Sequence, residues 1–211
     1  MLELTTAERA LVESARDEFG GPLTRFILTG LGEEGESRRR SFIVTFINDD
    51  GAAQRRRLHV EADDLMPETP TCLPRRREPL VLLALLRLLT RGRGTTQASL
   101  SYDPGEALSL LGWDDNEGSR LAVEEAVERY FFLSYGWELG VDELRAKGLT
   151  LHRSRERIIS AYSHGVAGEE RVGCGVNVVD FGPAFIEELT GMSLFGVKWD
   201  AVHNVEVEAA N

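Results

Sequence analysis

LPRRREPLVLLALLRLLTRGRGTTQASLSYDPGEALSLLGWDDNEGSRLAVEEAVERYFFLSYGWEL, residues 73–139, is the stretch on which the fold of this chain turns. Pro79 stands where a helix can begin, because the first turn leaves its missing amide hydrogen unneeded. Residues 80–89 are apolar almost all round, which marks a helix buried on every side. The run Arg91-Gly92-Arg93-Gly94 ends it, and residues 98–102 read as a short strand. Asp103 caps the next helix with Pro104 at its first position, and Gly112 closes it after Leu111. Residues 114–118 turn the chain, Ser119 caps a third helix that ends near Leu133, and residues 133–139 read as a strand. Helix, strand, helix, turn, helix, strand is the order of a winged helix.

Upstream, Thr5-Thr6-Ala7-Glu8 has the form of a capping box, in which Thr5 and Glu8 satisfy each other's backbone amides. The helix it opens carries Leu11, Val12, Ala15 and Phe19 on one side and stops at Gly20-Gly21-Pro22. Residues 30–37 are rich in Gly and Glu and read as a mobile loop. Residues 41–47 alternate as a strand with Phe42, Val44 and Phe46 on one face. Asn48-Asp49-Asp50-Gly51 supplies turn chemistry, and residues 54–61 return as the second arm of a hairpin. Residues 61–74 hold three prolines and read as a linker. Downstream, residues 155–163 and 176–179 are strands, separated by a Gly-rich tip at 165–175. Pro183 starts a last helix over 182–190, which Gly191 closes. The fold expected is therefore α+β: a winged helix over 73–205, an N-terminal helix and Arg-rich β-hairpin extension over 1–72, and a tail over 206–211.

The composition bounds the function. A hydrophobic fraction of 42% is that of a folded globular protein. The start carries Glu3 and Glu8 with no apolar run behind a basic segment, so no signal peptide is expected. The longest apolar stretch is interrupted by Arg87 and is too short to cross a bilayer, so no membrane partner is expected. Two cysteines far apart in sequence suggest a reducing, cytoplasmic setting. The net charge of −11 excludes a generic nucleic-acid coat, but it is unevenly spread. Residues 37–93 hold 12 Arg against 7 acids, whereas the segments on either side are acidic. Of the 24 bases 22 are Arg, the better bidentate ligand for phosphate, although a GC-rich genome produces the same bias.

No phosphate-cradling Gly-rich loop is present, and Gly173-Cys174-Gly175 is too short to be one. The four histidines stand singly, without cysteine or carboxylate at metal-ligand spacing. Cys174 has no histidine at a recognisable spacing. No catalytic residue, metal, cofactor or small-molecule substrate is therefore expected, and the chain is not read as an enzyme.

Binding features are richer. Three Arg triplets occur at Arg38–Arg40, Arg55–Arg57 and Arg75–Arg77. The first two flank the hairpin and are expected across from each other at one end of it. Successive strand residues point to opposite faces, so only part of each triplet joins one patch. The third triplet opens the buried helix, where its charge opposes the helix dipole and invites an anion. Arg153, Arg155 and Arg157 alternate along one side of the wing, a pattern that fits phosphate contact and a solvated strand face alike. The candidate DNA contacts are thus Arg38, Arg40, Arg55, Arg57, Arg75, Arg76, Arg77, Arg153, Arg155 and Arg157. At about 100° per residue, the third helix turns Ala122, Val123, Ala126, Val127, Tyr130 and Leu133 inward. Its opposite face carries Leu121, Glu124, Glu125, Glu128, Phe131 and Phe132. Carboxylates repel phosphates, so this helix is not expected to read bases. Leu121, Glu124, Glu128, Phe131 and Phe132 are expected instead to form a homodimer interface.

Several segments resemble one family. Leu73-Pro74, three polar residues, then Glu78-Pro79-Leu80-Val81-Leu82-Leu83-Ala84-Leu85-Leu86 is similar to the opening of the winged-helix domain in plasmid replication initiators of the RepA type. Residues 98–112 (ASLSYDPGEALSLLG) resemble that family's strand and Leu-Leu-x-x-Leu-Gly helix. Residues 176–199 (VNVVDFGPAFIEELTGMSLFGVKW) resemble its strand, Pro-x-Phe-Ile-x-x-Leu helix and short apolar run. The third helix departs, with Leu121, Glu124 and Glu128 where the family has Tyr-, Ile- and Leu-type residues. The resemblance spans roughly residues 73–205. It implies binding of double-stranded origin DNA on plasmids or secondary chromosomes and self-association, and it implies that the chain is a short relative or an isolated first domain. A winged helix that binds only protein, and a winged-helix transcription regulator, are the other two expectations.

Overall fold

The computed structural model describes residues 3–34, 37–47, 51–63, 72–93, 98–138, 155–164, 176–189 and 202–207. The first helix, α1 (Thr6–Phe19), opens on the expected capping box: the Glu8 amide donates to the Thr5 hydroxyl at 3.2 Å, and the Thr5 amide donates back to the Glu8 carboxylate at 2.8 Å. Leu11, Val12, Ala15 and Phe19 are buried as expected. Gly20-Gly21-Pro22 ends α1 as expected but also begins a further helix, α2 (Gly21–Ile27). Read as a stop signal, the proline serves here as a start, because its fixed φ suits a first helical turn.

β1 (Arg39–Ile47) and β2 (Ala53–Ala62) form the hairpin. The hairpin is not an appendage, however. β2 pairs with β4 (Leu133–Glu138), β4 with β5 (Glu156–Arg157), and β1 with β8 (Val202–Val207), giving one antiparallel sheet in the order β5-β4-β2-β1-β8. A boundary between residues 72 and 73 would cut this sheet in two, and β8 draws residues 206 and 207 of the expected tail into it. The second antiparallel sheet holds β3 (Ser99–Tyr102), β7 (Asn177–Phe181) and β6 (Ile159–Ser163), in the order β3-β7-β6.

The helix α3 (Glu78–Arg93) is the centre of the molecule. Leu80, Val81, Leu82, Leu83, Ala84, Leu85 and Leu86 are each no more than 1% exposed, which explains why no polar side appears in the sequence of this helix. It packs against α1, α4 (Pro104–Leu111), α5 (Glu117–Phe131) and β3. Asp103 caps α4 as expected, whereas the cap of α5 lies three residues before the expected Ser119. That cap is Asn116, whose side-chain oxygen accepts from the Ser119 amide at 2.9 Å. The last described helix is α6 (Pro183–Leu189).

Residues 155–163, expected as one strand, divide between the two sheets at Ile158. The Gly182 amide donates to the Ile158 carbonyl at 3.0 Å and pins the crossing point. A Cβ on Gly182 would stand 2.0 Å from the Arg157 carbonyl oxygen, so only glycine allows the approach. The fold is α+β, with helices packed on two antiparallel sheets around a shared apolar core. No helix among the described residues is long and apolar enough to cross a membrane.

Candidate nucleic-acid interface

Strand alternation sorts the hairpin arginines. Phe42, Val44, Leu58 and Val60 face the core, so Arg40 and Arg56 share the core side while Arg39, Arg55 and Arg57 lie on the outer side. The Arg40 side chain is only 12% exposed and is held by Glu33. Register corrects the expected meeting of the first two triplets. Arg39 is opposite Glu61 and Arg40 opposite Val60, but Arg55 is opposite Thr45 and Arg57 opposite Ile43. Six residues at about 3.3 Å each separate Arg39 from the Arg55 position, roughly 20 Å along the sheet.

On the outer face of this sheet Arg57 and Arg55 each have a carboxylate nearby. Arg57 Nη1 donates to Glu138 Oε2 at 3.2 Å, and His59 Nε2 lies 3.2 Å from the same oxygen. His59 Nδ1 is 2.9 Å from the Ser41 hydroxyl. The hydrogen bond to His59, and then Arg57, holds the Glu138 carboxyl below the usual range against the opposing effect of burial. Arg55 sits 3.9 Å from Glu206, both well exposed, an arrangement that water and salt screen heavily.

Arg155 and Arg157 converge on a residue that the sequence placed in a linker. Asp63 is 4% exposed. Its carboxylate accepts from Arg157 Nη2 at 2.6 Å, from the Ser134 hydroxyl at 3.2 Å and from Arg155. Arg155 Nε also donates to Ser134 Oγ at 3.0 Å. Arg157 reaches the Phe131 carbonyl as well, and its guanidinium lies 5.3 Å from the centre of the Phe131 ring. Arg155 and Arg157 therefore anchor the β4–β5 edge instead of forming an open row; Arg153 lies outside the described residues. No local pattern marks Asp63, since its partners come from positions 134, 155 and 157.

In the third triplet Arg77 is likewise directed inward, onto the fully buried Glu8. Glu8 also accepts from Trp113 Nε1 at 3.0 Å. Burial alone would raise its pKa, but the Thr5 amide, Trp113 and Arg77 together bring it below the usual range. The Arg75 amide donates to the Glu78 carboxylate at 2.9 Å, which supplies the acid that the α3 dipole favours. Arg76 is exposed and has φ +52, the left-handed region that a non-glycine residue seldom occupies.

Helix α5 buries Val123, Ala126, Val127 and Tyr130 as expected, but much of its opposite face is covered from within the chain. Phe132 is 8% exposed. The Phe131 ring meets Phe132 and Tyr162 at 5.1 Å each, edge to face. Tyr162 donates to Glu128, and burial together with that carboxylate raises its hydroxyl pKa. His164 lies 4.0 Å from Glu124. Strand β6 thus packs on the part of the face expected to meet a second copy. Leu121, 46% exposed, and Glu125 remain outward. What α5 presents to solvent is acidic, which disfavours entry into a DNA groove. Among the described residues no three His, Cys, Asp or Glu side chains group as a metal site.

No protein-family model matches the sequence. No curated protein matches it either. Solved structures do resemble the fold. Domains 2 and 3 of RctB, in a selenomethionine derivative, align with a TM-score of 0.52 at 14% identity, over 78% of this chain and 60% of that one. A second crystal structure of RctB domains 2–3 aligns with a TM-score of 0.49 at 15% identity, over 78% of this chain and 57% of that one. The chain spans 60% of the length of the first of these structures, and the likeness concerns architecture alone.

Proposed function

We propose that this protein is a DNA-binding module of the replication-initiator kind, built round a winged helix, cytoplasmic and without catalytic activity. The observation that carries the proposal is connectivity. Helix α3, strand β3, helices α4 and α5 and strands β6 and β7 follow one another around a three-stranded sheet ordered β3-β7-β6. That order supports the winged-helix reading, with β4 and β5 inserted after α5 to join the larger sheet. The likeness to domains 2 and 3 of RctB supports the architecture, and the Leu-Pro…Leu-rich helix, Leu-Leu-x-x-Leu-Gly and Pro-x-Phe-Ile motifs support the initiator reading. Because α5 offers carboxylates outward, DNA contact falls to arginines elsewhere on the surface, which neutralise phosphates and leave base reading to a minority of contacts.

The test is binding to fluorescent duplexes across a salt series. Binding is expected at low ionic strength and should weaken linearly on a log–log plot as salt rises. No binding to any duplex at low salt refutes the proposal. A protein-binding module is the second reading, favoured by Leu121 standing exposed on an acidic helix face. A stable homodimer in light scattering, together with failure to bind duplex, would establish it.

A further inference from the structure

We propose that the first and third arginine triplets form one phosphate-binding rim, on which Arg38, Arg39 and Arg76 contact the backbone of duplex DNA. The proposal rests on the DNA-binding reading above and assigns its surface. The two triplets are far apart in sequence, yet the backbone stitches them together. The Leu73 amide donates to the Ser37 carbonyl at 2.7 Å, next to Arg38. The loop before β1 meets the segment before α3 on both sides of Arg76: the Gly32 amide donates to the Arg76 carbonyl at 2.8 Å, and the Arg76 amide donates to the Glu33 carbonyl at 3.0 Å. Leu31 and Arg76 form a parallel bridge. Gly30, at φ +92, brings its Cα so near Pro74 that a Cβ would fall 2.2 Å from the Pro74 carbonyl oxygen. A side chain at position 30 would hold the two segments apart.

Each triplet spends one guanidinium inward and turns others outward. Arg40 takes Glu33 and Arg77 takes Glu8, so the two innermost positive charges are matched by carboxylates. Arg38, Arg39 and Arg76 are exposed and Arg75 is half-buried. Among the described residues Glu33, Glu34 and Glu61 are the exposed acids beside them in the chain and sheet, fewer than the five arginines Arg38, Arg39, Arg40, Arg75 and Arg76. Arg76 adds a second line of reasoning. Its left-handed backbone suits glycine, but the chain places a guanidinium there, held by two backbone hydrogen bonds. Strain of this kind gathers where a side chain has to be aimed. Exposed guanidinium groups spread along two adjoining segments match a continuous phosphodiester chain, and each phosphate neutralised releases counterions.

The test compares wild type, Arg76→Gly, the triple variant Arg38→Gln/Arg39→Gln/Arg76→Gly, and the control Arg55→Gln/Arg57→Gln on one duplex over a salt series. Arg76→Gly should lower the salt slope by about one and the triple variant by about three, with affinity down at least ~10-fold at low salt. Glycine fits φ +52, so the Tm of Arg76→Gly should hold or rise, which separates the loss of binding from misfolding. The control pair, opposite Thr45 and Ile43 and so roughly 13–20 Å along the sheet from Arg39, should retain most of the affinity. A triple variant with wild-type affinity and slope, or an equal loss in the control pair, overturns the rim while the DNA-binding reading stands. A wild type that binds no duplex overturns both.

Discussion

Replacing Glu8 by glutamine changes one oxygen for an amino group at the point where α1, the start of α3 and the α4–α5 turn meet. The carboxylate is fully buried and accepts from the Thr5 amide at 2.8 Å, from Trp113 Nε1 at 3.0 Å and from Arg77. Hydrogen bonds to a charged acceptor contribute about 1.5–3 kcal/mol, against about 0.5–1.5 for neutral pairs. Glutamine keeps one acceptor oxygen, so three bonds weakened by about 1 kcal/mol each lead to a loss of about 3 kcal/mol. For a chain of this size the Tm should fall by roughly 6–12 °C, at ~2–4 °C per kcal/mol. Arg77, 35% exposed, can turn to water, so its released charge adds little. Urea denaturation at pH 7 reads the difference directly. The pH dependence follows from the lowered pKa of Glu8. A carboxyl whose folded pKa lies below its unfolded value of about 4.3 contributes its full stability above that value. The contribution is lost as the pH falls through the folded pKa. The gap between wild type and Glu8→Gln should therefore narrow in acid. A gap under ~1 kcal/mol at pH 7, against the ~3 worked from these bonds, would refute the assignment of Glu8 as a clamp, as would a gap that widens on acidification.

Asp63→Asn should destabilise by about 2–3 kcal/mol, less than a fully buried pair because Arg155 is 63% exposed. It should also strengthen duplex binding by releasing two guanidinium groups; unchanged stability and affinity would show that Asp63 is not their anchor. Gly182→Ala puts a Cβ within 2.0 Å of a backbone oxygen and should cost about 2–3 kcal/mol. Hydrogen exchange should accelerate first where Ile158 passes between the sheets, and a variant as stable as wild type would remove the steric reason for glycine there.

Much of this fold is legible in the chain itself. The Thr5–Glu8 box, the Asp103-Pro104 start and the Leu-rich residues 80–89 each rest on contacts within a few residues, and α1, α4 and α3 form where they lie. The inward face of α5 follows from helical periodicity alone. The hairpin register was within reach too: a turn centred on position 50 makes paired residue numbers sum to 100, which sets Arg39 against Glu61 and not against Arg55.

Tertiary structure decided the rest, because the responsible partners lie far apart in sequence. Strand β8 exists through pairing with β1, and the division of residues 155–163 depends on Gly182 approaching Arg157. An arginine in a strand looks the same in sequence whether it meets water, phosphate or a buried carboxylate. Glu8 and Asp63 take Arg77, Arg155 and Arg157 out of the candidate surface, and β6 covers Phe131. Local periodicity determines which side of an element is apolar. Long-range strand pairing and the burial of charge determine which polar groups are left outside for a partner.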